Sequence, residues 1–314
     1  MCTFYAFLTV NPIQRQVTGL EFHCFDCPRR CGALKTDTNS SGFCASSALP
    51  SLARAAAHFG EEPCISGTRG SGTLFFTGCN LRCVFCQNHE ISRGRGGQIV
   101  SVEKLRDIML NLRDEGVHNI NLVTPSHHTR VIAKALDGLE LGIPVAWNSS
   151  GYDSVETLKM LEGLVQIYMP DFKYAMSEPA KRYSAAEDYP QVAKAAIKEM
   201  FRQRGAFVMD DDGMLQSGVL IRHLILPQQE LNTMEVIDFV ADEFPKDSVL
   251  FSLMSQYTPM PGLEDFPELQ QRVSASTNSK LIAYMQRVGI ETAYWQEVES
   301  ATDEMIPDFD LTGV

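Results

Sequence analysis

The chain has 314 residues, room for one large core or two modest ones, with 44% hydrophobic and 21% charged residues and no low-complexity tract. A formal net charge of −12 argues against a nucleic-acid backbone as the main partner, because counterion release needs a basic footprint. All nine cysteines fall at or before Cys86, and an odd set crowded into one end is a poor disulfide framework.

The start, Met1-Cys2-Thr3-Phe4-Tyr5-Ala6-Phe7-Leu8, is apolar but has neither a basic leader nor a small-residue cleavage site. No run approaches the length of a membrane span, so a protein of the reducing cytoplasm is expected. Residues 1–72 read as a cysteine-rich N-terminal extension, with little periodicity outside Ser51–His58. Gly67-Thr68-Arg69-Gly70-Ser71-Gly72-Thr73 resembles a phosphate loop in its glycines. It lacks the lysine and a preceding strand, and is read as a tight turn.

From residue 73 onward, apolar runs alternate with helix-period segments. The pattern predicts a strand at 73–77, a helix at 102–115, a strand at 119–124 and a helix at 130–141. It continues with strands at 144–148 and 165–169 around a helix at 155–161, then a helix at 191–204. A turn or hairpin at 205–217, carrying Asp210-Asp211-Asp212-Gly213, precedes a strand at 219–226. A helix at 233–244, a strand at 249–254, a helix at 280–288 and a short strand at 292–295 follow. Ser101, and Asp153 or Ser154, suit helix N-termini, and Gly116 suits a C-terminus. Residues 297–314 are expected as an acidic tail.

Near-continuous apolar strands alternating with amphipathic helices predict an α/β fold, a partial (β/α)6 TIM-like barrel over residues 73–296; the alternative is a doubly wound sheet. Either fold puts its site at the carboxyl ends of the strands. Polar residues recur there: Cys79, then Thr124-Pro125-Ser126-His127-His128, Asn148-Ser149-Ser150-Gly151-Tyr152, Asp171-Phe172-Lys173 and Ser255-Gln256-Tyr257. Arg222-His223 lies inside the fifth strand.

Cys79, Cys83 and Cys86 stand at C-x3-C-x2-C spacing. Three thiolates on one short loop can hold three irons of a [4Fe–4S] cluster and leave the fourth open to a substrate or cofactor. Zinc, which takes four ligands, suits a lone triad poorly. Cys24, Cys27, Cys31 and Cys44 form a second set, suited either to a closed zinc site or to an auxiliary iron–sulfur cluster. Cys2 and Cys64 read as free thiols. His127-His128 read equally as ligands, acid/base groups or polar rim residues, and Arg93-Gly94-Arg95 as a solvated loop. Asp171 and Lys173, at alternate positions of a strand end, can both face the barrel mouth. The charged pair Arg222-His223 within an apolar strand needs a polar cavity to face.

The triad, with Phe85 before its last cysteine and Asn88 after it, resembles the radical S-adenosylmethionine (SAM) enzymes. The longer context resembles their pyruvate formate-lyase activating enzyme-like branch, over about residues 24–296. That context includes Glu61-Glu62-Pro63, Ile65-Ser66-Gly67, Gly70-Ser71-Gly72-Thr73, Gly78-Cys79-Asn80-Leu81-Arg82-Cys83 and Cys86-Gln87-Asn88. It also includes Asn119-Ile120-Asn121-Leu122-Val123-Thr124-Pro125, Asp171-Phe172-Lys173-Tyr174 and Arg222-His223-Leu224.

The resemblance implies that Cys79, Cys83 and Cys86 hold a [4Fe–4S] cluster whose fourth iron SAM chelates. Reduction then yields methionine and a 5′-deoxyadenosyl radical that takes a hydrogen atom from the substrate. It implies catalytic roles for Asp171 and Lys173, a contact from Arg222 to the SAM carboxylate, and a SAM pocket drawn from Phe85, Asn88, Thr124, Asn148, Ser150, Asp171, Lys173, Arg222 and His223. Where activating enzymes carry Gly-Gly-Glu, this chain has Thr124-Pro125-Ser126-His127, so the SAM amino group needs other acceptors, such as the Thr124 carbonyl or hydroxyl. Flavodoxin or ferredoxin is the implied reductant, and a glycyl-radical enzyme or a peptide the implied substrate. A radical SAM enzyme acting on a small molecule, or a non-enzymatic iron–sulfur electron-transfer protein, are the alternatives; neither nucleic acid nor membrane is an expected partner.

Overall fold

A computed structural model describes residues 21–296 and 307–314. The apolar start, Cys2 and residues 297–306 of the acidic segment lie outside the described residues.

In chain order the elements begin with β1 (Glu21–Cys24), β2 (Ala33–Thr36), β3 (Ser51–His58), α1 (Pro63–Ser66) and β4 (Ser71–Phe76). Next come α2 (His89–Ser92), β5 (Gln98–Ile99), α3 (Val102–Asp114), β6 (Ile120–Val123), α4 (Thr129–Leu136), β7 (Val145–Ser149) and α5 (Val155–Leu158). The chain then forms β8 (Ile167–Pro170), α6 (Ser177–Ser184), α7 (Tyr189–Arg204), β9 (Val208–Met209) and β10 (Leu215–Leu224). It ends with α8 (Glu230–Glu243), β11 (Leu250–Met254), α9 (Ala275–Arg287) and β12 (Ala293–Trp295).

β4, β6, β7, β8, β10, β11 and β12 pair in parallel in that order, each joined to the next by a helical crossover except across the α2–β5 segment and α3, which together link β4 to β6. This is the expected partial barrel, its six units followed by the short last strand. The strands are buried on both faces, as Ser71–Phe76 and Ile120–Val123 show at every residue, because helices cover the outside and side chains fill the inside. Helix α3 shows how the cover is specified. Leu105, Ile108, Met109 and Leu112 recur at helical spacing and are all buried, each worth about 1.5–3 kcal/mol. The Ser101 side chain accepts the Lys104 amide at its start.

Three features differ from the sequence expectation. The sheet does not begin at residue 73: β3 runs antiparallel to β4 and β5 pairs with the start of β3, so part of the cysteine-rich extension belongs to the main sheet. The 177–184 stretch is a helix, α6, whose polar exposed face hid its period. Asp153 does not cap α5; its carboxylate turns inward to Trp147 and Ser149 instead. Residues 307–314 pack against β3. The Leu311 amide donates to the Ala53 carbonyl and the Ala55 amide to the Thr312 carbonyl, while Phe309 meets Phe75 edge-on.

Candidate active site

The parallel strands bring the predicted polar ends together at one mouth. Gly78 ends β4 with φ +81°, and a Cβ there would lie 2.4 Å from the Cys44 carbonyl oxygen, so only glycine lets the triad loop leave the sheet against the N-terminal segment. Cys79 and Cys83 are buried, and Cys86 is partly so. Burial pushes the Cys79 thiol up, against the pull of the Arg82 and Leu81 amides, which point at its sulfur at 3.4 and 3.3 Å. Burial likewise pushes Cys86 up to about 12, with Cys83 and Cys79 adding to the effect. The Ser184 hydroxyl donates to the Cys83 sulfur at 3.1 Å. Amide and hydroxyl donors aimed at sulfur favour thiolates once a metal supplies the compensating charge.

A half-buried charge network joins the strand ends. Arg222, inward on β10, donates through Nε to Asp171 Oδ1 at 3.0 Å, through Nη1 to Glu61 Oε2 at 2.8 Å and through Nη2 to Asn148 Oδ1 at 2.6 Å. Asn121 and Asn148 donate to Glu61 Oε1 at 2.9 and 3.1 Å, so the carboxylate is satisfied from three sides. Lys173 Nζ donates to Asp171 Oδ2 at 2.6 Å. Burial opposes charge on Asp171, but Lys173 and Arg222 outweigh it and hold its carboxyl below the ordinary range. Burial also opposes charge on Lys173; Asp171, then Cys83 and Cys86, outweigh it and keep the amine protonated. Lys173 therefore stands between the carboxylate and the triad.

The backbone around Asp171 is fixed by two residues. Gly151 has φ +72°, and a Cβ there would lie 2.3 Å from the Asp171 carbonyl oxygen. The Tyr189 hydroxyl lies 2.7 Å from that oxygen and 2.8 Å from the Ser150 carbonyl, and accepts the Lys173 amide at 2.9 Å. Its single proton serves one carbonyl at a time.

The remaining predicted residues divide. Asn148 is in the network, and Phe85 is buried among Tyr174, Tyr183 and Tyr257, with ring centroids 6.2–6.4 Å away. Thr124 adopts φ +59°, a costly conformation for a β-branched residue, and its amide bonds the Asn148 carbonyl. Among the described residues, Asn88 Oδ1, Ser150 Oγ and Asn121 Oδ1 are buried without a partner. Buried polar atoms of this kind are usually satisfied, so these orphans suit a polar ligand in the mouth. Donors and thiols together fit an iron–sulfur cluster and a zwitterionic, ribose-bearing cofactor.

His223 is not brought to the mouth. Strand alternation turns it outward, where Nδ1 meets the Phe172 carbonyl at 2.7 Å and Nε2 the Thr233 hydroxyl at 2.9 Å. His127 and His128 are not rim residues either; both are buried, and His127 Nε2 lies 2.9 Å from the Thr77 carbonyl. Sequence reasoning gave no role to Glu61, Asn121 and Tyr189. Glu61 had one signal, an acidic residue just before a proline-started helix, but it reads equally as a solvated cap.

Residues 73–207 match the sequence model of the Radical SAM superfamily. The uncharacterized protein MJ0674 of Methanocaldococcus jannaschii is 29% identical over 247 residues, which is 76% of this chain and 67% of that protein. The crystal structure of Streptococcus suis SuiB bound to S-adenosylmethionine superposes with a TM-score of 0.50 at 14% identity, covering 72% of this chain and 50% of SuiB. SuiB bound to its precursor peptide SuiA gives a TM-score of 0.48 at 13% identity, over 73% of this chain and 49% of that one. At such identities the likeness to SuiB is one of fold alone, and this chain spans about half its length. The matched residues 73–207 run from the first parallel strand and its cysteine loop to the foot of the β9 hairpin, and it is this stretch that is similar to the Radical SAM superfamily.

Proposed function

We propose that the chain is a radical SAM enzyme in which Cys79, Cys83 and Cys86 hold a [4Fe–4S] cluster. The observation that carries this reading is the buried triad beside the Lys173–Asp171–Arg222 network at the strand ends. When bound, cluster and SAM supply reductive cleavage of the sulfonium to methionine and a 5′-deoxyadenosyl radical. The chain's own part is to bind, orient and exclude water. Arg222 and Lys173 offer cations for a carboxylate, while Asn88, Ser150 and the Thr124 carbonyl or hydroxyl offer polar contacts. Phe85 and its tyrosines keep the mouth dry, which protects a radical.

Within the superfamily, the Asp171-x-Lys173 pair and Arg222 favour the activating-enzyme-like reading, in which a glycyl-radical enzyme or other peptide gives up a hydrogen atom. A flavodoxin or ferredoxin would supply the electron. The test is anaerobic reconstitution with iron and sulfide, reduction, and electron paramagnetic resonance with and without SAM. A cluster signal that shifts on adding SAM, and is lost in Cys83→Ala, is expected. A full cluster signal indifferent to SAM would favour an electron-transfer protein and sink the reading.

A further inference from the structure

Cys24, Cys27, Cys31 and Cys44 line one cavity of about 10 Å³, with Asp26, Lys35 and His127 also in its wall; the Asp26 carboxylate is paired with Arg130. Cys24, Cys27 and Cys44 are buried and Cys31 sits at the exposed rim. The backbone amides of Asp26 and Arg29 lie near the Cys24 and Cys27 thiols and favour their charged forms, against the burial that pushes both up. Arg30 and Gly32, at φ +42° and +63°, turn the backbone tightly around Cys31.

A second observation points to an anionic occupant. Lys35 is only 2% exposed, and it donates to the neutral His127 carbonyl at 3.2 Å. Among the described residues no carboxylate pairs with it. A buried ammonium without an anion is costly, whereas four thiolates on a divalent ion carry two surplus negative charges beside it. His127 Nδ1, also buried in this wall, has no partner.

We propose that Cys24, Cys27, Cys31 and Cys44 bind one tetrahedral divalent cation of the zinc type, and that this knuckle braces the triad loop. Binding releases the four thiol protons to solvent and forms four metal–sulfur bonds of about 2.3 Å, with no change of oxidation state. The cavity as it stands admits about one water-sized sphere, which suits a single ion. Among the described residues no three such side chains stand at single-ion spacing, so binding requires the thiols to draw together.

The brace is explicit. Between Cys27 and Cys31, Arg29 donates to the Asn80 carbonyl at 2.9 Å and the Ser184 carbonyl at 2.7 Å, and also to the Ala185 carbonyl. Its guanidinium lies 4.1 Å over the Phe43 ring. The Cys44 carbonyl accepts the Cys79 amide at 3.3 Å. Cys44 thus touches the triad loop directly, and Arg29, between Cys27 and Cys31, reaches it through its side chain.

The proposal does not rest on radical chemistry, and its test removes that chemistry. The full chain carrying Cys79→Ala, Cys83→Ala and Cys86→Ala is purified anaerobically and its zinc, iron and acid-labile sulfide are measured. About one zinc per chain without iron is expected. Iron with matching sulfide, or no metal, would overturn the assignment. Adding Cys24→Ser and Cys27→Ser should abolish the zinc. Should that variant not fold, the parent triad variant is stripped by chelator and titrated with Co²⁺. It should show the strong visible bands of tetrahedral cobalt thiolate, and their absence counts against the site. In the otherwise native chain, Arg29→Ala should keep the zinc and lose at least half the reconstituted iron; unchanged iron would refute the brace.

Discussion

At the scale of single residues the decisive group is Arg222, which joins Asp171, Glu61 and Asn148 with three separate nitrogens. A lysine offers one point charge and cannot span all three. Replacing Arg222 with methionine leaves the partly buried Glu61 with only amide partners, a loss on the order of 1–3 kcal/mol. Urea unfolding of Arg222→Met should show that loss, and adding Glu61→Gln should restore part of it; a cost under about 1 kcal/mol would mean the network is not a coupled unit. The sequence made Cys79, Cys83, Cys86, Asp171, Lys173 and Arg222 legible as candidates, because each is a chemically costly residue in an apolar strand or in the segment that follows one. It did not make Glu61 legible, whose partner Arg222 lies 161 residues away and whose position reads locally as a helix start.

At the scale of elements, strand alternation separates neighbours that a motif joins. β10 sends Arg222 inward and His223 outward against Thr233 of α8, and the sequence reading erred by treating Arg222-His223 as one functional pair. Burial lowers His223 to about 4. Between the ordinary histidine value near 6.5 and about 4, the unfolded chain holds a proton that the folded chain refuses. Stability therefore falls as pH drops through that window, by up to about 1.4 kcal/mol per pH unit for this group. Buried His127 and His128, also lowered, act in the same direction. Urea midpoints at pH 7 and pH 5 should show a clear loss in the native chain and a smaller one in His223→Gln. An equal loss in both would place the acid sensitivity elsewhere. Most helices and parallel strands were legible from period and caps, whereas α6 was hidden by its exposed, charged face and the role of β3 by its cysteine-rich context.

At the scale of the whole molecule, the partial barrel leaves an edge at β3, and residues 307–314 cover it through the Ala53 and Ala55 backbone, Phe309 and the Arg54–Asp310 pair. The acidic composition of 297–314 suggested a tail, because pairing to a strand edge uses backbone groups that leave no mark on composition. Deleting 307–314 should uncover a sheet edge and Phe75, seen as association in size-exclusion chromatography; a monodisperse truncated protein eluting as the native one would show that the edge needs no cover. The same barrel gathers triad, charge network and orphaned polar atoms at one mouth, and that gathering is the central claim. The most direct measurement is 5′-deoxyadenosine formed by the reconstituted, reduced protein with SAM, beside Cys83→Ala. Formation that disappears in Cys83→Ala is predicted. No product from protein with a full cluster, with or without candidate peptides, would contradict the account.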